Sequence, residues 1–228
     1  MRVVITGGGG FIGRALTKSV LENCVGSDEV ILVDSLARHG RRPGLEMILS
    51  DERVSLIEAD LSVPNSLKEV ATQVDQVYHL AARVGVGAVT SAPVEVLKSN
   101  TLSTMHVFEW FLESASIGGR LLYASTSEVY SGGLAAGLDL PIPTPESVPI
   151  VIPDIENPRF SYALSKMWGE AYAQYLAAED ERFVTVRYHN VYGPDMGYEH
   201  VIPQIVTRVR DREKPFRMFG ADETRSFC

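Results

Sequence analysis

The sequence predicts an α/β fold with a doubly wound parallel sheet, and three observations carry that expectation. Short apolar runs recur along the chain with helix-like stretches between them, the runs are nearly continuous in hydrophobic residues, and a glycine-rich turn joins the first run to the first helical stretch. Continuous runs suit strands buried on both faces, and strand–helix–strand repetition requires crossovers, hence parallel neighbours.

Six strands follow in order: Arg2 to Ile5, Val30 to Val33, Val54 to Ile57, Gln76 to Leu80, Arg120 to Ala124 and Phe183 to Arg187. Phe11 to Cys24, Pro64 to Ala71, Pro93 to Ser116 and Pro158 to Ala178 read as helices, the last with Asn157 before Pro158 as a cap-then-proline start. Between Ser131-Gly132-Gly133 and Pro158 lie six of the twelve prolines, that last one included, too many for a regular element. A long loop is expected there, either a solvent-exposed excursion or a flap beside a site.

Composition narrows the class. With 228 residues, 45% hydrophobic and 22% charged, the chain can bury a core, and one large α/β unit suits the length. Twenty-one Lys and Arg against 29 Asp and Glu give a net charge of −8, which argues against a dedicated binder of nucleic acid or anionic membrane. No apolar run approaches the roughly 18 residues of a membrane span. Met1 leads almost directly into the first strand, and Cys24 and Cys228 make no disulfide framework, so a cytoplasmic protein is expected. The histidines (His39, His79, His106, His189, His200) never stand three or four apart and no cysteine pair accompanies them, so no metal site is expected.

The glycine-rich turn is Thr6-Gly7-Gly8-Gly9-Gly10-Phe11-Ile12-Gly13. Gly7, Gly10 and Gly13 have the spacing in which the first glycine permits a tight turn, the second lets backbone approach a pyrophosphate and the third allows close packing. Composition alone would give this spacing roughly 0.1 times per chain, so its place between strand and helix is what makes it specific. The helix start then presents free amides, those of Phe11 and Ile12 among them, and the positive end of its dipole to an anion. Asp34 ends the second strand 21 residues after Gly13, where a carboxylate accepts both ribose hydroxyls of NAD and repels the 2′-phosphate of NADP. Arg38, Arg41 and Arg42 follow closely and leave NADP open. Asp60 and Leu61 close the third strand, where an adenine-contacting side chain would sit, although Asp60 equally suits a helix cap.

Tyr162 and Lys166 stand four apart on one helix face, where an ammonium can lower a phenol's pKa. Ser125-Thr126-Ser127-Glu128-Val129-Tyr130 follows the fifth strand, so its hydroxyls emerge at the carboxyl edge of the sheet, where doubly wound folds bind ligands. A base and a hydroxyl donor could converge there on one substrate carbonyl.

These motifs together resemble the extended short-chain dehydrogenase/reductases, in particular the NAD-dependent nucleotide-sugar epimerases, dehydratases and decarboxylases. Thr6 to Gly13, His79-Leu80-Ala81-Ala82, Ser125 to Tyr130, Tyr162 to Lys166 and Arg187 to Pro194 match that family's segments in order. The resemblance implies a Rossmann-type domain over 1–190 that binds NAD, with Leu80, Ala81, Ala82 and Ser125 joining the residues above along the cofactor. It implies that residues 191–228 begin a smaller substrate-binding domain whose remainder is absent from this sequence. It also implies that Tyr162 as phenolate takes the proton of a sugar 4-hydroxyl, that Thr126 holds that oxygen, and that Lys166 binds the nicotinamide ribose and tunes Tyr162. Asn190 and Arg225 would contact a nucleoside-diphosphate sugar, Arg83 would line its site, and the relatives' homodimer would form through the Pro93 and Pro158 helices. Thr126-Ser127-Glu128 lacks the Asp usual in dehydratases and resembles the uronic-acid decarboxylases, whereas Arg83-Val84-Gly85 looks closer to epimerases. Glu128 is either a second acid/base or a loop hydrogen-bonding partner. The reading leans to an epimerase working through a transient 4-keto sugar, with a decarboxylase or 4,6-dehydratase as the alternative within the family. A reductase of a lipophilic alcohol or ketone, or a non-catalytic NAD-binding protein, are the alternatives outside it.

Overall fold

The computed structural model describes residues 1–26, 28–38, 40–70, 72–178, 180–197 and 201–217, with only the backbone at Val86. Two compact units divide the chain, Met1–Arg187 and Tyr188–Cys228. Six strands, β1 (Arg2–Thr6), β2 (Glu29–Asp34), β3 (Val54–Glu58), β4 (Val74–His79), β5 (Ala115–Thr126) and β6 (Phe183–Tyr188), form one sheet in the order β3-β2-β1-β4-β5-β6. The pairs β1–β2, β1–β4, β2–β3 and β4–β5 are parallel. Strand order reverses between β1 and β4, and a Rossmann-type sheet opens its ligand crevice at that point.

Near-continuous apolar runs are needed because both faces are covered. Val3, Ile5, Val30 and Leu32 face one way and pack with Leu45 and Ile48 of α2 (Pro43–Leu49) and with Leu16 and Val20 of α1 (Phe11–Asn23). Val4, Ile31 and Val33 face the other way, toward Val107, Phe108 and Phe111 of α4 (Pro93–Ser114) and Ala173 of α6 (Phe160–Ala177). Side chains of period two thus feed two separate cores, and burial at roughly 25 cal/mol per Å² of apolar area holds each layer to the sheet.

All six expected strands form. Pro64 to Ala71 does not make the expected helix: residues 61–70 run through successive turns, with Asn65 left-handed at φ 60°, a conformation that a right-handed helix cannot contain. Leu67 and Val70 are nonetheless buried, so the apolar spacing was real and served a string of turns. α4 stops at Ser114, two residues before its expected end, and β5 starts at once, five residues before its expected start, across a register shift opposite Val74 and Gln76. Asn157 caps a turn just before α6: its Oδ1 accepts from the Arg159 amide at 3.1 Å, and helical residues begin at Phe160.

Three short helices, α2, α3 (Val86–Ser91) and α5 (Ser131–Ala135), lay below the sequence signal. The proline-rich stretch after α5 carries no regular element until α6. Its Ile152 packs against Val129, Ala163 and Met167, so part of the excursion returns to the fold. In the second unit, α7 (Val201–Arg210) buries none of its residues, and Arg208 lies 4.5 Å over the Phe216 ring and pairs with Glu213. No helix among the described residues is long and apolar enough to cross a membrane, and no group of three acidic, histidine or cysteine side chains among them could hold a metal ion.

Candidate active site

The glycine turn takes its shape from backbone crowding. Gly7 has φ 71°, and a Cβ there would meet the Ala81 amide nitrogen at 2.8 Å, so only glycine lets the turn cross the end of β4. At Gly13 a Cβ would fall 2.3 Å from the Gly7 carbonyl oxygen, so the third glycine packs the helix against the loop itself. Gly10 is extended at the start of α1, and no side chain caps that helix. Phe11 and Ile12 form its first turn, with amides that an anion can take. Asp34 ends β2 with its carboxylate set by two amides, Gly9 N–H to Oδ2 at 2.9 Å and Leu36 N–H to Oδ1 at 2.8 Å.

At the β4 edge, the Ala81 amide donates to Thr6 Oγ1 at 3.3 Å, Thr6 Oγ1 bonds His79 Nδ1 at 2.7 Å, and His79 Nε2 bonds Thr104 at 3.2 Å. His79 is fully buried, and burial lowers its pKa to about 3, which keeps the ring neutral. Leu80, Ala81 and Ala82 are half-buried beside this chain and Arg83 is exposed. Asp60 caps no helix and bonds within a turn: Oδ1 accepts from the Ser62 amide at 2.9 Å and the Ser62 hydroxyl at 2.7 Å. The Leu61 side chain is buried in the core and its carbonyl bonds His106 Nδ1 at 2.8 Å. A cavity of about 280 Å³ at the outer edge of the sheet contains Asp60 but none of the glycine turn, Asp34, Tyr162 or Lys166.

Across the crevice, Thr126 ends β5, and its Oγ1 accepts from the Glu128 amide at 3.2 Å, which starts a 3-10 turn over Ser127–Tyr130. Ser125 and Thr126 are buried. Tyr162 and Lys166 stand on α6, which packs along β5 and α4. Lys166 is 2% exposed, and its ammonium donates to the Ala124 carbonyl at 2.7 Å while lying 4.9 Å from the centre of the Tyr123 ring. Burial lowers its pKa to about 7, with Glu170 opposing the shift. The Tyr162 phenol is raised, first by burial and then by the charge of Glu128, with a hydrogen bond to Thr126 pulling it back.

The expected lowering of that phenol by Lys166 is therefore not present in this arrangement. The ammonium lies 5.9 Å from the Tyr162 ring centre and is spent on Ala124, and burial disfavours its charge. Glu128 is exposed, and desolvation by the surrounding protein raises its carboxyl, with Arg159 partly offsetting the effect. Asn190 lies exposed in the second unit. Arg225 falls outside the described residues.

Two features escaped the sequence reading. Asn100, buried within α4, takes the Arg83 amide on Oδ1 at 2.7 Å and donates through Nδ2 to the Arg83 carbonyl and to Ser165 Oγ, both at 3.2 Å. An asparagine inside a long helix is a poor helix former and was the available signal. Arg187 grips Glu170 through two bonds, Nε to Oε1 at 2.9 Å and Nη2 to Oε2 at 2.6 Å. Nothing in the spacing of two residues 17 apart announces that pair.

The fold and these two walls are those of a dinucleotide-binding α/β domain. Residues 3–228 match the model of the NAD dependent epimerase/dehydratase family, and the chain belongs to that family. Among curated proteins it is similar to UDP-glucuronic acid decarboxylase 1 of Arabidopsis thaliana, 30% identical over all of this chain and 48% of that protein. Among solved structures it resembles UDP-galactose 4-epimerase, with a TM-score of 0.71 and 32% identity over 92% of this chain and 63% of that one. It also resembles DesIV, a dTDP-glucose 4,6-dehydratase from Streptomyces venezuelae solved with NAD bound, with a TM-score of 0.75 and 29% identity over 93% and 63%. The chain spans about half to three fifths of the length of the first curated relatives it matches.

Proposed function

We propose that this chain holds NAD and acts on a nucleoside-diphosphate sugar, beginning with oxidation at the sugar C4. The observation that carries the reading is the pairing of an uncapped, glycine-built helix start and an amide-oriented Asp34 with Thr126, Tyr162 and Lys166 on elements of the same unit. The turn from Gly7 to Gly13 fits a pyrophosphate and Asp34 fits ribose hydroxyls, so NAD is preferred over NADP. Leu80, Ala81, Ala82 and Ser125 are assigned to the cofactor's side of the crevice. Bound NAD supplies a hydride acceptor for C4 and a positive charge to the site.

Tyr162 takes the proton of the 4-hydroxyl and Thr126 holds the same oxygen. The phenol is protonated at neutral pH in its buried setting, so it acts as base only when positive charge, from Lys166 or the cofactor, favours its anion. A ketone at C4 acidifies its neighbours, and the later step decides the product. Return of hydride on the other face gives an epimer, which is the first reading. The second reading is decarboxylation, favoured by Thr126-Ser127-Glu128 and by the decarboxylases among the relatives. Glu128 is assigned the exchange of a proton in either. Arg83, Asn190 and Arg225 are assigned to the sugar nucleotide. A homodimer through α4 and α6 is part of the proposal, supported by exposed Leu112 and Tyr175 on those helices, and light scattering at two-chain mass tests it.

Incubation of the chain and NAD with UDP-glucose, UDP-glucuronic acid and dTDP-glucose, followed by mass spectrometry and proton NMR, tests the reading. Unchanged mass with a new anomeric pattern means epimerisation, a loss of about 44 Da decarboxylation and a loss of about 18 Da dehydration. Net accumulation of NADH in proportion to product contradicts a cofactor that is regenerated.

A further inference from the structure

The Glu170–Arg187 pair serves none of the steps above, yet it joins four segments of the first unit. Both side chains are largely buried, 11% and 17% exposed. Ser125 Oγ donates to Glu170 Oε1, the atom that also accepts from Arg187 Nε. Arg187 Nη1 then donates to the Tyr130 hydroxyl at 2.8 Å and to the Glu146 carbonyl at 3.0 Å, and the guanidinium lies 4.8 Å over the Tyr130 ring. Glu170 stands one turn after Lys166 on α6. The helix is thereby fastened to the end of β5 at two consecutive residues: Lys166 binds the Ala124 carbonyl and Glu170 takes the Ser125 hydroxyl. Thr126 is the next residue in the chain.

We infer that Glu170 and Arg187 are a positioning pair, which fastens the Thr126 turn, through Ser125 and Tyr130, to the helix bearing Tyr162 and Lys166 and pins the proline-rich excursion through the Glu146 carbonyl. The assignment rests on the proposed roles of those three residues. Arginine suits the place because its fork satisfies both carboxylate oxygens and still presents a further N–H to the excursion, which a lysine ammonium cannot do in one plane. The Glu170 carboxylate also favours the charged form of Lys166.

Hydrogen exchange of the whole chain, without ligand, reads the pinning for Glu170→Gln and Arg187→Lys. Exchange in peptides covering 138–153 should quicken about tenfold in both while Val3–Ile5 and Val30–Val33 keep their protection. Unchanged exchange over 138–153 overturns the pinning. If either variant fails to fold, Tyr130→Phe removes one acceptor of the guanidinium and keeps the ring beneath it, and should quicken the same peptides about threefold. No change there overturns it equally. NAD titrations from pH 6 to pH 9 read the second consequence: in Glu170→Gln the midpoint of the pH dependence should fall by about one unit, because Lys166 loses the carboxylate that favours its charge. An unmoved midpoint overturns the link to Lys166. Failure of the unaltered chain to bind NAD would sink the functional reading, while the exchange measurement still decides the pair.

Discussion

The β1–β3 side of the sheet and the β4–β6 side build their parts of the crevice in different ways. On the first, position is set by backbone: Gly7 crosses Ala81, Gly13 abuts the Gly7 carbonyl, and Asp34 hangs from two amides. On the second, position is set by buried polar side chains, with Lys166 on Ala124, Glu170 between Ser125 and Arg187, and Asn100 between Arg83 and Ser165. A backbone device tolerates no added atom, whereas a side-chain device is sensitive to charge and pH.

The largest separation between the two sides is expected from Tyr162→Phe. Turnover should fall about 1000-fold while NAD affinity stays within about twofold, measured by kinetics and calorimetry on one preparation. Retained turnover would show that the phenol is not the base. Next is Gly169→Ala on α6. A Cβ there would lie 2.1 Å from the Tyr123 hydroxyl oxygen, so the α6–β5 seam must open. Overpacking of this kind should cost about 3 kcal/mol in denaturant unfolding. An alanine variant of wild-type stability would mean that Tyr123 swings away freely.

A smaller effect sharpens the same contrast through pH. The pKa of His79 is depressed to about 3 in the folded chain from 6.5, so the unfolded chain binds the proton first as pH falls. Stability is therefore lost progressively from about pH 6.5 toward pH 3, and between pH 7 and pH 5 this one residue should remove about 2 kcal/mol. His79→Asn should show that much less loss over the same interval. Identical pH slopes would place the proton elsewhere.

What was legible in the sequence follows the same division. The six strands and the glycine turn could be read because two-sided burial leaves continuous apolar runs and because Gly7, Gly10 and Gly13 have a fixed spacing. Pro64 to Ala71 misled because Leu67 and Val70 keep helical spacing while Asn65 turns left-handed, and an apolar pattern records burial without recording φ. Tyr162 and Lys166 were found as a pair, but their electrostatics were not, since burial lowers the lysine's pKa and raises the phenol's. Glu170, Arg187 and Asn100 act across long stretches of chain through side-chain geometry, which one sequence does not display.

Calorimetric titration of NAD into the chain, its Gly13→Ala variant and its Tyr162→Phe variant tests the central claim most directly. The account predicts one NAD per chain for the unaltered protein and for Tyr162→Phe, and affinity weakened about 100-fold in Gly13→Ala, where the added Cβ would meet the Gly7 carbonyl at 2.3 Å. Absence of binding to the unaltered chain, or equal binding by Gly13→Ala, would contradict it.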